Sequence, residues 1–270
     1  MQRRLSAGVR RYPLIYGFIG TGTITAAMIE GMMTSALDVT KVLVSPRNAE
    51  VAAGLDARFS KVEVAASNQA VVDEAEILVL AVRPQVAEEV LTGLRFSSRR
   101  KLISVIAATD HSKLGSWTGC SEAEIVRAIP LPFVADRSGV TAIFPADSIA
   151  SELFAALGKA VECKDQNEFD LLAVASSMMG AYYGLMERVG GWLVEHGMDD
   201  RTASRYLTPL YASLSQVAAT NADASYSGLR QEFSTKGGLN EQVFREFEEN
   251  GGSSALLKAL DGVLERVQKG

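Results

Sequence analysis

A chain of 270 residues is long enough to bury a sizeable core, in one large domain or two modest ones. With 47% hydrophobic and 22% charged residues, and 27 basic against 32 acidic side chains, it lacks the basic excess of a nucleic-acid binder, although a local basic pocket is compatible with its net charge of −5. Two cysteines, Cys120 and Cys163, and two histidines, His111 and His196, fall in no metal-like spacing and beside no nucleophile motif, so zinc chemistry and a Ser-His-Asp mechanism are poorly supplied. Lone thiols fit a reducing, cytoplasmic setting.

Arg3, Arg4, Arg10 and Arg11 give the N-terminus the charge of a targeting segment, but the apolar h-region of a secretory signal is missing. Residues 12–29 carry no charge and reach the length of a short membrane span, yet Pro13, Gly17, Gly20, Gly22 and three threonines read better as strand, glycine turn and helix. Strands are predicted at Leu14–Ile19, Lys41–Ser45, Val62–Ala65, Ile77–Val82, Leu102–Ile106, Glu124–Ala128 and Val140–Phe144. Helical segments such as Ala26–Met33, Ala49–Phe59 and Val86–Leu91 alternate with them. Such alternation predicts an α/β, Rossmann-type doubly wound sheet over residues 12–164. From residue 165 to 270 the chain reads as an all-α domain, with helices Glu168–His196, Arg201–Thr220, Tyr226–Phe233, Asn240–Glu249 and Ser254–Val267. The uncharged stretch Leu171–Met186 is apolar nearly all round, which a small helical unit cannot cover alone; an intertwined homodimer, or a higher homo-oligomer, is expected to cover it.

The sharpest local motif is Gly20-Thr21-Gly22-Thr23-Ile24-Thr25, after the first strand and opening a helix. The first glycine permits a tight turn, the second lets backbone approach a pyrophosphate, and the helix start supplies positive potential. Thr25 stands where the fingerprint has a third glycine or alanine. The second strand ends in Ser45-Pro46-Arg47-Asn48. A guanidinium and a hydroxyl there welcome the 2′-phosphate of NADPH, where an NAD-binding protein places a carboxylate. Asn68 and the strand-end segment Ala81-Val82-Arg83-Pro84 are further cofactor candidates, because ligands in such sheets lie beyond the carboxyl ends of strands.

Gly17-Phe18-Ile19-Gly20-x-Gly22, Ser45-Pro46-Arg47-Asn48 and Ala81-Val82-Arg83-Pro84-Gln85 resemble the pyrroline-5-carboxylate reductase family. So do Val126-Arg127-Ala128-Ile129-Pro130, Gly139-Val140-Thr141-Ala142, and Leu229-Arg230-Gln231 leading into Gly237-Gly238. The resemblance runs from about Ile15 to Leu264. It implies NADPH-dependent reduction of a cyclic imine, pyrroline-5-carboxylate to proline or a closely related substrate, by a homodimer whose helical domain completes the site.

The departures fall in segments that the resemblance assigns to the substrate. The family's Thr-Ser-Pro-Gly-Gly-Thr-Thr loop reads Ser234-Thr235-Lys236-Gly237-Gly238-Leu239-Asn240 here. Met-Pro-Asn-Thr-Pro becomes Ile129-Pro130-Leu131-Pro132-Phe133, and Gly-Ser-Gly-Pro-Ala-Tyr becomes Ser177-Met178-Met179-Gly180-Ala181-Tyr182. Ser234, Thr235, Gly237 and Gly238 are the expected substrate-binding residues. Lys236 is the candidate to anchor a carboxylate or donate a proton, against a solvated loop lysine. Asn240 is a candidate hydrogen-bond donor to substrate, against a helix N-cap for Glu241–Glu249. Two alternatives stay open: a hydroxy- or oxo-acid dehydrogenase using Lys236, and a non-catalytic NADP-binding dimer.

Overall fold

The computed structural model describes residues 14–97, 100–221 and 223–269. The four N-terminal arginines lie outside them. Eight strands form one sheet: β1 (Leu14–Ile19), β2 (Val39–Val44), β3 (Val62–Val64), β4 (Ile77–Leu80), β5 (Lys101–Ser104), β6 (Ile125–Ile129), β7 (Gly139–Phe144) and β8 (Gly158–Glu162). Their order is β3-β2-β1-β4-β5-β6-β7-β8, all neighbours parallel except β6 and β7. The uncharged N-terminal stretch thus folds as strand, turn and helix from Leu14 onward, and among the described residues no helix is long and apolar enough to cross a membrane.

Alternation along the strands explains why both faces are buried. Tyr16, Phe18, Val42, Val44, Ile77 and Val79 point to one face, where Met28, Ile29 and Met32 of α1 (Thr23–Thr34), Leu55 of α2 (Ala49–Arg58), and Leu153 and Phe154 of α6 (Ser148–Ala156) cover them. Leu43, Leu78, Leu80 and Leu102 point to the other, under Val71 and Val72 of α3 (Asn68–Glu74), Leu91 of α4 (Pro84–Thr92) and Leu114 of α5 (His111–Thr118). Each large side chain fully removed from water contributes about 1.5–3 kcal/mol. β8 is absent from the strands expected from sequence because it is a sheet edge with exposed Lys159 and Glu162, so it carries no apolar run to read.

Five helices follow: α7 (Gln166–Ser176), α8 (Met178–Glu195), α9 (Asp200–Thr220), α10 (Tyr226–Glu232) and α11 (Leu239–Glu249), then α12 (Gly252–Lys269) closes the chain. The single long helix expected over Glu168–His196 is two. At Ser177 the hydroxyl and the backbone N–H both donate to the Val174 carbonyl, at 2.6 and 2.9 Å, and this local bonding competes with the helical ladder. Asp199 caps α9 as its position suggests, accepting the Thr202 N–H at 3.0 Å.

The chain divides into two compact units, one running through Ala173 and taking in the residues from Arg266 onward, the other Val174–Glu265. The first holds the sheet and its layered core. In the second, α8, α10, α11 and α12 contain no buried residue and α9 contributes only Ala203 and Leu207. Tyr183, Trp192, Val243 and Leu257 stand more than half exposed there, at 59, 56, 70 and 60%. An exposed apolar set of this extent marks an association surface.

Candidate cofactor site

The chain moves outward from β1 through β2 to β3 and then returns to lay β4 on β1's other side. The reversal opens a crevice beyond the carboxyl ends of β1 and β4, where open α/β sheets take their ligands. Gly20 turns the chain there. Its φ is +102°, and a Cβ on it would lie 2.6 Å from the Ala81 carbonyl oxygen at the end of β4. Glycine is therefore demanded twice, by conformation and by backbone crowding.

Gly22 has a different reason. Its φ of −102° and ψ of −169° suit any residue, and a Cβ there would meet no protein atom within 4 Å. Neither conformation nor packing asks for glycine, so the position keeps open a space that the protein does not fill. α1 begins at Thr23 with no side-chain cap and no acidic residue in its first turn. The N–H groups of Thr23 and Ile24 thus open a helix whose positive end faces uncrowded space, which fits a pyrophosphate in charge and in bulk.

Hydroxyl groups brace the turn. Thr25, the departure from the fingerprint, is fully buried and donates to the Gly20 carbonyl at 2.7 Å. The Gly20 N–H donates to Ser45 Oγ at 2.9 Å, and Thr21 Oγ1 donates to the Ser45 carbonyl at 2.6 Å. Ser45 is expected from sequence to greet a 2′-phosphate; in the fold its side chain has no exposed surface and holds the glycine turn instead. Arg47 and Asn48 follow it and are exposed. Arg47 has no ion-pair partner among the described residues, and Asn48 precedes α2 without capping it by side chain. None of Ser45, Pro46, Arg47 and Asn48 is acidic, and Glu50 follows in the first turn of α2.

Beyond β4, Ala81 and Val82 are half-buried, while Arg83 and Pro84 are exposed, with Arg83 preceding α4 and Pro84 as its first residue. Asn68 is the half-buried first residue of α3, whose cap is Ser67, accepting the Ala70 N–H at 3.1 Å. Gly20, Gly22, Thr23, Ile24, Ala81 and Val82 thus gather round the crevice, with Arg47 and Asn48 at the neighbouring strand end. Past β5, Ala108 holds a left-handed backbone (φ 48°), an uncommon conformation for a residue with a Cβ.

One polar group lies outside the sequence expectations. Arg127, on β6 in register with Ser104, is buried to 5% exposure, with its guanidinium 4.6 Å from the Phe169 ring centre. Burial holds its pKa below the usual arginine range, while the charges of Asp170 and Asp110 oppose that shift. His111, the first residue of α5, packs edge-on against Phe144; burial, then the Arg127 charge, depresses its pKa. Arg127 Nη1 and His111 Nε2 are buried with no hydrogen-bond partner among the described residues. The clue in the sequence is a charge at the centre of the apolar strand Ile125–Ile129. Past that strand the segment Pro132–Asp136 forms a 3-10 turn with Phe133 42% exposed.

The substrate-loop candidates all lie in the second unit. Ser234 N–H donates to the Gln231 carbonyl at 3.1 Å, and Gly238 N–H to the Thr235 carbonyl at 2.8 Å. Gly237 N–H donates to Glu241 Oε2 at 2.6 Å. Gly238, not Asn240, precedes α11 as its N-cap, so Asn240 sits inside the first turn, where its side-chain amide donates to the Phe233 carbonyl at 2.7 Å. Lys236 is exposed and has no ion-pair partner among the described residues. His196 ends α8, with Nδ1 2.7 Å from the Trp192 carbonyl.

A family model described as NADP oxidoreductase, coenzyme F420-dependent, matches residues 15–108, and one for pyrroline-5-carboxylate reductase dimerisation matches residues 167–269. The pyrroline-5-carboxylate reductase of Haemophilus influenzae is 26% identical over 268 residues, covering 94% of this chain and 97% of its own. Among solved structures, the Streptococcus pyogenes 1-pyrroline-5-carboxylate reductase superposes with a TM-score of 0.82 at 19% identity, covering 95% of this chain and 99% of that one. The Plasmodium falciparum pyrroline carboxylate reductase with NADP bound gives 0.79 at 18% identity, covering 95% and 97%.

Proposed function

We propose that this chain, a divergent member of the pyrroline-5-carboxylate reductase family, is an NADPH-dependent reductase of a cyclic imine of the pyrroline class. The observation that carries the proposal is the Gly20–Gly22 turn: a space kept free of side chain above an uncapped helix start, at the reversal of strand order. In this reading Gly20, Gly22, Thr23 and Ile24 hold the pyrophosphate, and Ser45 with Thr21 and Thr25 keeps the turn in shape. Arg47 and Asn48 take the 2′-phosphate, where a carboxylate would repel it. Asn68, Ala81, Val82, Arg83 and Pro84 line the rest of the cofactor's path.

Bound there, NADPH would supply the hydride that reduces the imine carbon, the nitrogen taking a proton to give a secondary amine. The protein's share is positioning and charge stabilisation. Ser234, Thr235, Gly237 and Gly238 contact the substrate in this reading, with Lys236 the candidate proton donor and Asn240 holding the loop to Phe233. The uncovered apolar residues of the second unit bury against a second copy.

The test is a fluorescence titration with NADPH and NADH, followed by NADPH consumption with pyrrolines bearing or lacking a carboxylate. Tighter NADPH binding and stoichiometric amine formation are expected. Tight binding with no imine turned over would favour the non-catalytic dimer.

A further inference from the structure

We propose that Arg127 is a positioning residue for the nicotinamide half of the cofactor, holding in place the loop of residues 105–110 on which that half is seated. The proposal rests on the reading above that NADPH lies with its pyrophosphate on the Gly20–Gly22 turn. With the 2′-phosphate at the end of β2, the other half of a dinucleotide leaves the turn in the opposite direction, across the ends of β4 and β5. Past β5 it meets residues 105–110, where Ala107 is exposed and Ala108 holds its left-handed φ of 48°. A residue with a Cβ keeps that conformation only where its surroundings over-determine it.

Strand register places Arg127 at the foot of this loop. Ile19, Leu80, Ser104 and Arg127 are successive partners across β1, β4, β5 and β6, so Arg127 stands level with the residue before Gly20 and with the last residue of β5. Alternation puts its side chain on the face of Ile125, the face that α5 covers. There the guanidinium lies over the Phe169 ring of α7, and two carboxylates answer its charge: Asp170, 7% exposed, and Asp110, the last residue of the loop. Asp170 is itself held by Gln166 Nε2 at 2.6 Å, and Asp110 caps α5 by accepting the Lys113 N–H at 2.7 Å. Stability alone does not ask for a charge here. A leucine would fill the strand position without the cost of burying a guanidinium that has no ion-pair partner among the described residues and leaves Nη1 without a hydrogen bond. What arginine adds is one planar cation that meets a ring on α7 and answers carboxylates on two separate elements, so that β6, the loop and α7 keep a common position.

The experiment compares the whole cofactor with its adenosine half. Calorimetry gives the Kd of NADPH and of 2′-phospho-ADP-ribose, which lacks nicotinamide, in wild type and in Arg127→Met, a change that keeps an unbranched side chain and removes its charge. Arg127→Met is expected to raise the Kd of NADPH about tenfold, the 1.4 kcal/mol of one decade, and to leave that of the fragment within about twofold. Equal losses for the two ligands, or no loss for NADPH, overturn the proposal, because an arginine that served stability alone would not distinguish one half of the cofactor from the other. Arg127→Lys is the second variant should Arg127→Met not fold. It keeps the charge but not the plane, and should show the same selective loss in smaller measure; equal losses overturn the proposal here too. Hydrogen exchange of the wild type needs no variant: NADPH should protect the amides of residues 105–111 more than the fragment does, and equal protection overturns the proposal. Binding of neither ligand to the wild type removes the NADPH reading and this proposal together, whereas binding of both without the expected difference removes this proposal alone.

Discussion

Replacing Gly22 and Gly20 by alanine in turn separates a glycine kept for a ligand from one kept for the fold. At Gly22 the added methyl meets nothing within 4 Å and the backbone is ordinary, so the structural cost is that of alanine for glycine at a helix N-cap, about 0.5–1 kcal/mol. For a unit of this size that lowers Tm by about 1–4 °C. The methyl fills the space assigned to the pyrophosphate, and losing one amide–phosphate hydrogen bond costs about 1.5–3 kcal/mol, roughly ten- to hundredfold in Kd for NADPH. At Gly20 the same methyl lies 2.6 Å from a backbone carbonyl oxygen on a left-handed residue, so strain and overlap together cost roughly 2–6 kcal/mol of stability. Calorimetric melting and fluorescence titration of both variants give the comparison. An unchanged NADPH Kd in Gly22→Ala would refute the assignment of that space to the cofactor.

Four further outcomes are expected. Arg47→Glu should weaken NADPH about ten- to hundredfold while sparing NADH, and equal losses for both in the titration would place Arg47 outside the 2′-phosphate site. Thr25→Val keeps volume but strips the Gly20 carbonyl of its 2.7 Å donor, lowering Tm by an amount equivalent to about 1–3 kcal/mol in a melt. His111 has a folded pKa below its ordinary value of 6.5, so the unfolded chain binds more protons in that window and stability falls as pH drops from 6.5 toward the folded value, by at most about 1.4 kcal/mol per pH unit. His111→Gln should flatten that slope in melts between about pH 5.5 and 7.5, and an undiminished slope assigns the loss to other groups. Leu257→Glu, on a 60% exposed position of α12, should shift sedimentation toward monomer if this surface is an interface.

The parallel sheet was legible because its strands are continuous apolar runs bounded by turn residues, and β1 falls at Leu14–Ile19 as expected. β8 was hidden by its charged edge, and the break at Ser177 by a hydroxyl–carbonyl bond that no periodicity announces. In the site, the glycine turn is visible as spacing. The roles of Thr25, Ser45 and Asn240 are not, because whether a hydroxyl or amide faces a ligand or a neighbouring backbone depends on contacts 5, 25 and 7 residues away along the chain. Arg127 was not anticipated: a lone charge within the apolar strand Ile125–Ile129 was the available clue, and its partner ring at Phe169 comes from a helix 42 residues later.

Ser45 also bears on how cofactor preference can change. Its hydroxyl links the end of β2 to the turn at the end of β1, so altering it would disturb the pyrophosphate cradle and the adenosine end at once. Arg47 and Asn48, exposed and without structural duties, can be exchanged with little mechanical consequence. If Arg47 and Asn48 take the 2′-phosphate as proposed, nucleotide preference rests on positions whose side chains no structural bond among the described residues constrains, while the buried Ser45 beside them is committed to the turn. A redesign toward NADH should leave position 45 alone and explore acidic residues at 47 and 48.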